Sequence, residues 1–202
     1  MCVADKYGMV KVYAVGLYVE GTNALDAFAG DAVTPDFYGR LAETSAGFQR
    51  TLLLGFHRGV GVSAVVSALR DALTERVGSE SGGVGSFEAA LLRVLGESVP
   101  QGSLLFLGCA ATGDLLIGFE RAGSREAALA GAPVGETLTG AHAVCDALFD
   151  VYLGAKPIAP AAKTGVAAGF EALCAAHFDA NRADEPEAAA SDPVDEPPKD
   201  EV

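Results

Sequence analysis

The chain has 202 residues, half of them hydrophobic, and a formal charge of −13 at pH 7. That length suits one domain able to bury most of its apolar surface. The negative balance excludes the basic footprint that a nucleic-acid backbone requires, and no apolar run reaches the ~18 residues of a membrane helix.

Much of the charge is local. Residues 184–202 carry eight acidic residues against one base, Lys199, and four of the nine prolines. They read as a disordered acidic tail behind a domain spanning 1–183. The opening Met-Cys-Val-Ala-Asp-Lys lacks the charged and apolar blocks of a secretory signal and the Arg/Ser richness of a transit peptide. A soluble cytoplasmic protein is expected, or a plastid one if a segment precedes Met1. Cys2, Cys109, Cys145 and Cys174 contain no C-x-x-C pair and do not combine with His57, His142 and His177 into metal-ligand spacing. They read as buried thiols of a reducing compartment, with no metal and no cofactor.

The first element is a strand over residues 9–20, Lys11-Val12-Tyr13-Ala14-Val15-Gly16-Leu17-Tyr18-Val19-Glu20 at its centre, rich in β-branched and aromatic residues. Tyr13 is a hydroxyl-bearing aromatic set among aliphatics. Residues 22–49 mix a short helical pattern with turn residues and read as loosely helical. Thr51–Arg58 is a second, largely apolar strand. A helix follows over Ser63–Val77, with Val62, Val65, Val66, Leu69, Leu73 and Val77 at helical spacing. Gly78–Gly85 reads as a linker, and Ser86 as the N-cap of a helix over Phe87–Leu95. Ser103–Gly108 and Asp114–Arg121 read as a hairpin. Gly140–Leu153 is an amphipathic helix burying Val144, Leu148, Val151 and Tyr152, closed by Gly154. Pro157 and Pro160 separate it from a last helix over Ala161–Phe178. Strands and helices come in blocks, which favours an α+β fold with helices on one face of a mostly antiparallel sheet. The cleft between them is the natural ligand site.

Searches for catalytic motifs are negative. There is no G-x-S-x-G elbow and no phosphate-binding loop; Gly55–Gly61 lacks the required Lys-Ser/Thr ending. Gly82-Gly83-Val84-Gly85 follows a helix and not a strand, unlike a dinucleotide loop. His57 beside Arg58 marks a strand end reaching water, or else an acid–base pair.

With these elements placed, the chain resembles the chalcone isomerase family. The resemblance rests on Lys11–Glu20, on Arg50–Val77, on the hairpin Leu104–Phe119, and on Leu148-Phe149-Asp150-Val151-Tyr152-Leu153-Gly154 followed by Lys156-Pro157-Ile158-Ala159-Pro160. It covers residues 2–178. It implies an open-faced β-sandwich, a large antiparallel sheet covered by helices around an apolar cleft, here expected to lack the first strand or two and so to have an open edge. The family includes isomerases, fatty-acid-binding proteins and non-catalytic helpers of flavonoid synthesis.

The isomerase's polar groups are missing at the matching positions. No arginine lies in Cys2-Val3-Ala4-Asp5. Tyr13 replaces the strand's threonine, and Gly61, Ala68 and Val151 stand where a tyrosine, an asparagine and a hydroxyl residue are expected. A developing enolate needs preorganised donors, so catalysis is not expected. The resemblance implies instead a binding protein for a fatty acid or similar hydrophobic carboxylate. Tyr13 would meet the head group, without the charge-assisted pairing an arginine would supply. Val12, Val15, Val65, Ala68, Val151 and Tyr152 would line the cleft. The alternatives are an isomerase (intramolecular lyase) with a rearranged site using Arg50, His57 or Arg58, and a helper that binds a biosynthetic enzyme. The oligomeric state is left open.

Overall fold

The computed structural model describes residues 2–5, 11–28, 33, 35–78, 82–123 and 134–183. The acidic tail lies outside them. Among the described residues six strands form one sheet in the order of the chain, β1 Cys2–Asp5, β2 Lys11–Val19, β3 Arg50–Phe56, β4 Leu104–Cys109, β5 Leu115–Glu120 and β6 Val134–Leu138, each antiparallel to the next. Six α-helices accompany them among the described residues: α1 Gly21–Phe28, α2 Pro35–Ala42, α3 Val62–Val77, α4 Gly82–Leu95, α5 His142–Leu153 and α6 Pro160–Ala183. No helix among the described residues is long and apolar enough to cross a membrane.

Strand alternation divides the sheet into two faces. Register places Tyr13 opposite Phe56, Val15 opposite Leu54, Leu17 opposite Leu52, and Val19 opposite Arg50. On β3, alternate residues from Arg50 to Phe56 are buried, which identifies this set as the helix-covered face. The row continues through Leu105, Leu107 and Cys109 to Phe119, Ile117 and Leu115, all within the hydrophobic core. The opposite face carries Gly16, Tyr18, Leu53, Gly55, Phe106, Gly108, Leu116 and Gly118, with Tyr18 and Leu116 strongly exposed.

Helix α5 is the centre of the helical layer. Val144, Cys145, Ala147, Leu148, Phe149, Val151, Tyr152 and Leu153 are all buried, a pattern too broad for a one-sided surface helix. It has α2, α3 and α6 as neighbours. It stops at Gly154, where a Cβ would lie 2.6 Å from the Asp150 carbonyl oxygen. Only glycine permits that close approach, and the chain then turns through Pro157 into α6.

The structure changes several sequence expectations. A strand does precede β2: β1 pairs with it, so β2 has a neighbour on each side. Strand β6 was not foreseen. Helix α4 begins at Gly82, so half of the supposed Gly/Ser linker is helical; packing of Val84 and Phe87 into the core outweighs the weak propensity of three glycines.

The largest correction concerns the cysteines. Cys109 and Cys145 form a disulfide joining β4 to α5, with Cα atoms 5.9 Å apart, while Cys174 is free. The bridge spans 36 positions of chain, which in the chain-entropy account corresponds to about 4 kcal/mol of unfolded-state constraint. Urea unfolding with and without a thiol reductant checks this. The expected outcome is a lower midpoint on reduction, corresponding to a loss of about 3–4 kcal/mol.

Candidate functional site

A cavity of about 440 Å³ opens between β2 and α6, within the usual range for small-molecule sites. Val15, Leu17 and Val19 of β2 and Leu52 of β3 form its floor, and Tyr152 and Leu153 of α5 line it towards Tyr13. Helices α1 and α2 contribute Phe28, Phe37 and Leu41, and α6 contributes a stripe through Ala162, Gly165, Val166, Gly169 and Phe170. That stripe has the three- and four-residue steps of one helix face. Its glycines matter because they carry no side chain into the space. A Cβ at Gly169 would meet nothing within 4 Å.

The aromatic end is well ordered by ring contacts. Phe28 lies edge-on to Phe37 at 5.0 Å and to Phe170 at 5.8 Å, and Phe37 is 4.7 Å from Phe170. Such tilted geometries suit the ring quadrupoles. Arg40 of α2 caps this group, its guanidinium 4.7 Å above Phe28 and donating to the Ala27 carbonyl at 2.9 Å. It thereby ties α2 to the end of α1.

The opposite end is polar. The hydroxyl of Tyr152, a residue only 1% exposed, is 3.3 Å from the hydroxyl of Tyr13. Tyr13 leans on Phe56 at 6.3 Å between ring centres. Burial pushes both phenols above their ordinary value, Tyr152 strongly so. For Tyr13 the bond to Tyr152 partly offsets this, while for Tyr152 the proximity of Tyr13 adds to it. Both groups are therefore neutral at physiological pH and act as hydroxyl donors and acceptors.

The sequence candidates separate into three groups. Val15 and Tyr152 stand on the cavity wall, and Tyr13 stands behind Tyr152 as its hydrogen-bond partner. Val65 and Val151 are buried in the core away from the cavity. Val12 and Ala68 do not belong to the cleft. Val12 alternates with Tyr13 and so points to the other face of the sheet, and Ala68 is exposed on α3, outside the arc of Val65, Val66, Leu69 and Leu73 that packs inward. The expectation that α3 covers the cleft is corrected in the same way: its apolar stripe is used against α4 and α5.

The basic residues considered for a rearranged isomerase site are elsewhere. His57 and Arg58 are exposed beyond the end of β3. Arg50 is 1% exposed and engaged with protein groups: it donates to the Leu41 carbonyl at 2.8 Å and to Thr44 Oγ1 at 3.4 Å, lies 3.8 Å from Asp146, and stacks 4.7 Å from the Phe149 ring. No group of three or more metal-ligating side chains occurs among the described residues.

Sequence reasoning missed Leu17, Phe28, Phe37, Leu41, Gly169 and Phe170. Leu17 was within reach, since it shares strand parity with Tyr13 and Val15. The stripe on α6 was visible as a helical period, but nothing local says which sheet edge it faces.

Comparison with family models and with curated proteins finds no match. Among solved structures, the chain is similar to a fatty-acid binding protein from Arabidopsis thaliana, with a TM-score of 0.67, 19% identity, and 86% of each chain covered. The fold is chalcone isomerase-like, an open antiparallel sheet with helices packed on it.

The phenol pair carries a pH signature. In the unfolded chain both tyrosines ionise near 10, whereas in the folded protein they hold their protons to higher pH. The stability they contribute is complete below pH ~10 and is lost as pH rises from there through the folded-state values. Denaturant midpoints measured from pH 8 to 11.5 should fall above pH 10, and the fall should be shallower in Tyr152→Phe.

Proposed function

We propose that this chain binds a hydrophobic small molecule, a fatty acid or similar long-chain amphipath, in the groove between β2 and α6, and that it does so without catalysing a reaction. The observation that carries the reading is the cavity's polarity. Its wall is aliphatic and aromatic along its length, and a buried hydroxyl pair stands at one end. A tail would lie along Val15, Leu17 and Val19 towards Phe28, Phe37 and Phe170, with its polar end at Tyr152. The likeness to a structure whose printed name is a fatty-acid binding protein supports the same reading.

Magnitudes assign the roles. Each buried methylene contributes about 0.8 kcal/mol, so a tail of several carbons supplies most of the affinity. A hydroxyl–head-group hydrogen bond adds about 1 kcal/mol net and mainly fixes direction. A tyrosine hydroxyl paired only with another hydroxyl is a poor acid–base catalyst at neutral pH, since neither ionises there. Binding is therefore the activity that these groups support.

Two variants test the reading by fluorescent-lipid displacement. Tyr152→Phe should weaken binding about 5- to 10-fold, the equivalent of one hydrogen bond. Gly169→Leu should abolish binding by filling the cavity while raising stability by up to about 1 kcal/mol, because leucine is the better helix former. Undiminished binding by Gly169→Leu would place the ligand elsewhere.

A further inference from the structure

The polar end of the cavity also constrains the charge of what it accepts. We infer that the site takes its ligand with an uncharged head: a long-chain alcohol, aldehyde or ester, or an acid in its protonated form, in preference to an ionised carboxylate. This rests on the reading of the groove as an amphipath site and deepens it.

The argument begins with counting hydrogens. Each phenol has one proton to donate. With the Tyr13 and Tyr152 hydroxyls 3.3 Å apart, either can be the donor, so one of the two protons lies between them and one remains. If Tyr13 donates, Tyr152 offers its proton to the cavity; if Tyr152 donates, its oxygen offers a lone pair. An alcohol head, itself one donor and two lone pairs, matches either arrangement, and a carbonyl oxygen matches the first. An ionised carboxylate has about four acceptor sites and no donor. It would receive one hydrogen bond in exchange for its whole hydration shell, and burying such a charge unpaired is strongly unfavourable.

Surrounding charges do not change this balance. The residues forming the wall are aliphatic, aromatic or glycine; Tyr18, the other hydroxyl among them, is strongly exposed and five positions along β2 from Tyr13. At the aromatic end, Arg40 lies over Phe28 and donates to the Ala27 carbonyl. On α6, Lys163 is turned to the Gly154 carbonyl at 3.1 Å and to the Tyr38 ring at 4.3 Å. On α5, Asp150 is paired with Arg76 at 2.8 Å. On β3, Arg50 is held by Leu41, Thr44 and Asp146. Outside residues 184–202, which carry −7 of the total of −13, the chain is still net negative at −6, a balance that does not favour the approach of an anion.

Calorimetric titration of the full chain at pH 7.5 with 1-dodecanol and with laurate, two ligands of equal carbon number that differ in head charge, provides the test. The expected result is dodecanol binding at least tenfold tighter than laurate, with Tyr152→Phe reducing that ratio. Laurate binding as tightly as dodecanol or tighter overturns the inference while leaving the groove as a lipid site. Failure of both ligands to bind removes the lipid site itself, and the inference with it.

Discussion

Arg50 fixes the helical layer to the sheet. It is the first residue of β3, it points to the covered face, and almost none of it reaches water. A guanidinium taken out of water must find partners, because an unpaired buried charge costs several kcal/mol. Burial pulls its pKa down from the ordinary value, and Asp146 with Glu43 push it back up. Its partners are the last turn of α2, the Thr44–Ala46 turn and α5. Asp146 completes the joint by accepting from the Thr44 amide at 2.6 Å and its hydroxyl at 2.5 Å. The neighbouring Cys145 is covalently bound to Cys109, which lies directly beside Arg50 on the sheet. One ionic and one covalent joint thus meet at a single place. The Nε of Arg50 has no partner among the described residues.

The cavity follows from what that joint leaves free. With α5 pinned between the sheet and the outer helices, α6 must span the remaining gap over β1 and β2. It does so with small residues facing in, Ala162, Gly165 and Gly169, and so covers the strands without filling the space between. Elsewhere large side chains interdigitate, as expected of a packed interior. Here the sequence withholds them. The hydroxyl pair follows from the same pinning, since Tyr152 lies buried on the last turn of α5, within 3.3 Å of Tyr13.

Much of this was legible in the chain and some was not, for identifiable reasons. The strand around Tyr13 is readable because alternation and β-branched composition are local properties. The same holds for α5, whose apolar run is bounded by Gly140 and Gly154. The meeting of Tyr13 with Tyr152 depends on the register of two elements 139 positions apart, which no local pattern encodes. Helices α1 and α2 were blurred by Gly30, Pro35 and Gly39, and are held by Arg40 and Arg50 more than by propensity. Helix α3 misled for a different reason: its apolar spacing is readable, but such a pattern says nothing about which neighbour it meets. The Cys109–Cys145 pair is a tertiary fact of the same kind, since spacing alone does not give connectivity.

Strands β2 and β3 are direct neighbours, and antiparallel neighbours need only a two-residue hairpin between them. This chain spends residues 20–49 on the connection and folds Gly21–Phe28 and Pro35–Ala42 of them into α1 and α2, which contribute Ala24, Phe28, Phe37 and Leu41 to the wall of the groove. No sheet hydrogen bond depends on how long that detour is, and lengthening a loop costs little in closure entropy. The pocket can therefore be remodelled by insertion, deletion or exchange in the part of the detour ahead of Leu41, while the ladder, the disulfide, the phenol pair and the seat of Arg50 on Leu41 and Thr44 stay as they are. Over that part of the connection ligand range and fold stability are separable, and divergence in the one need leave little trace in the other.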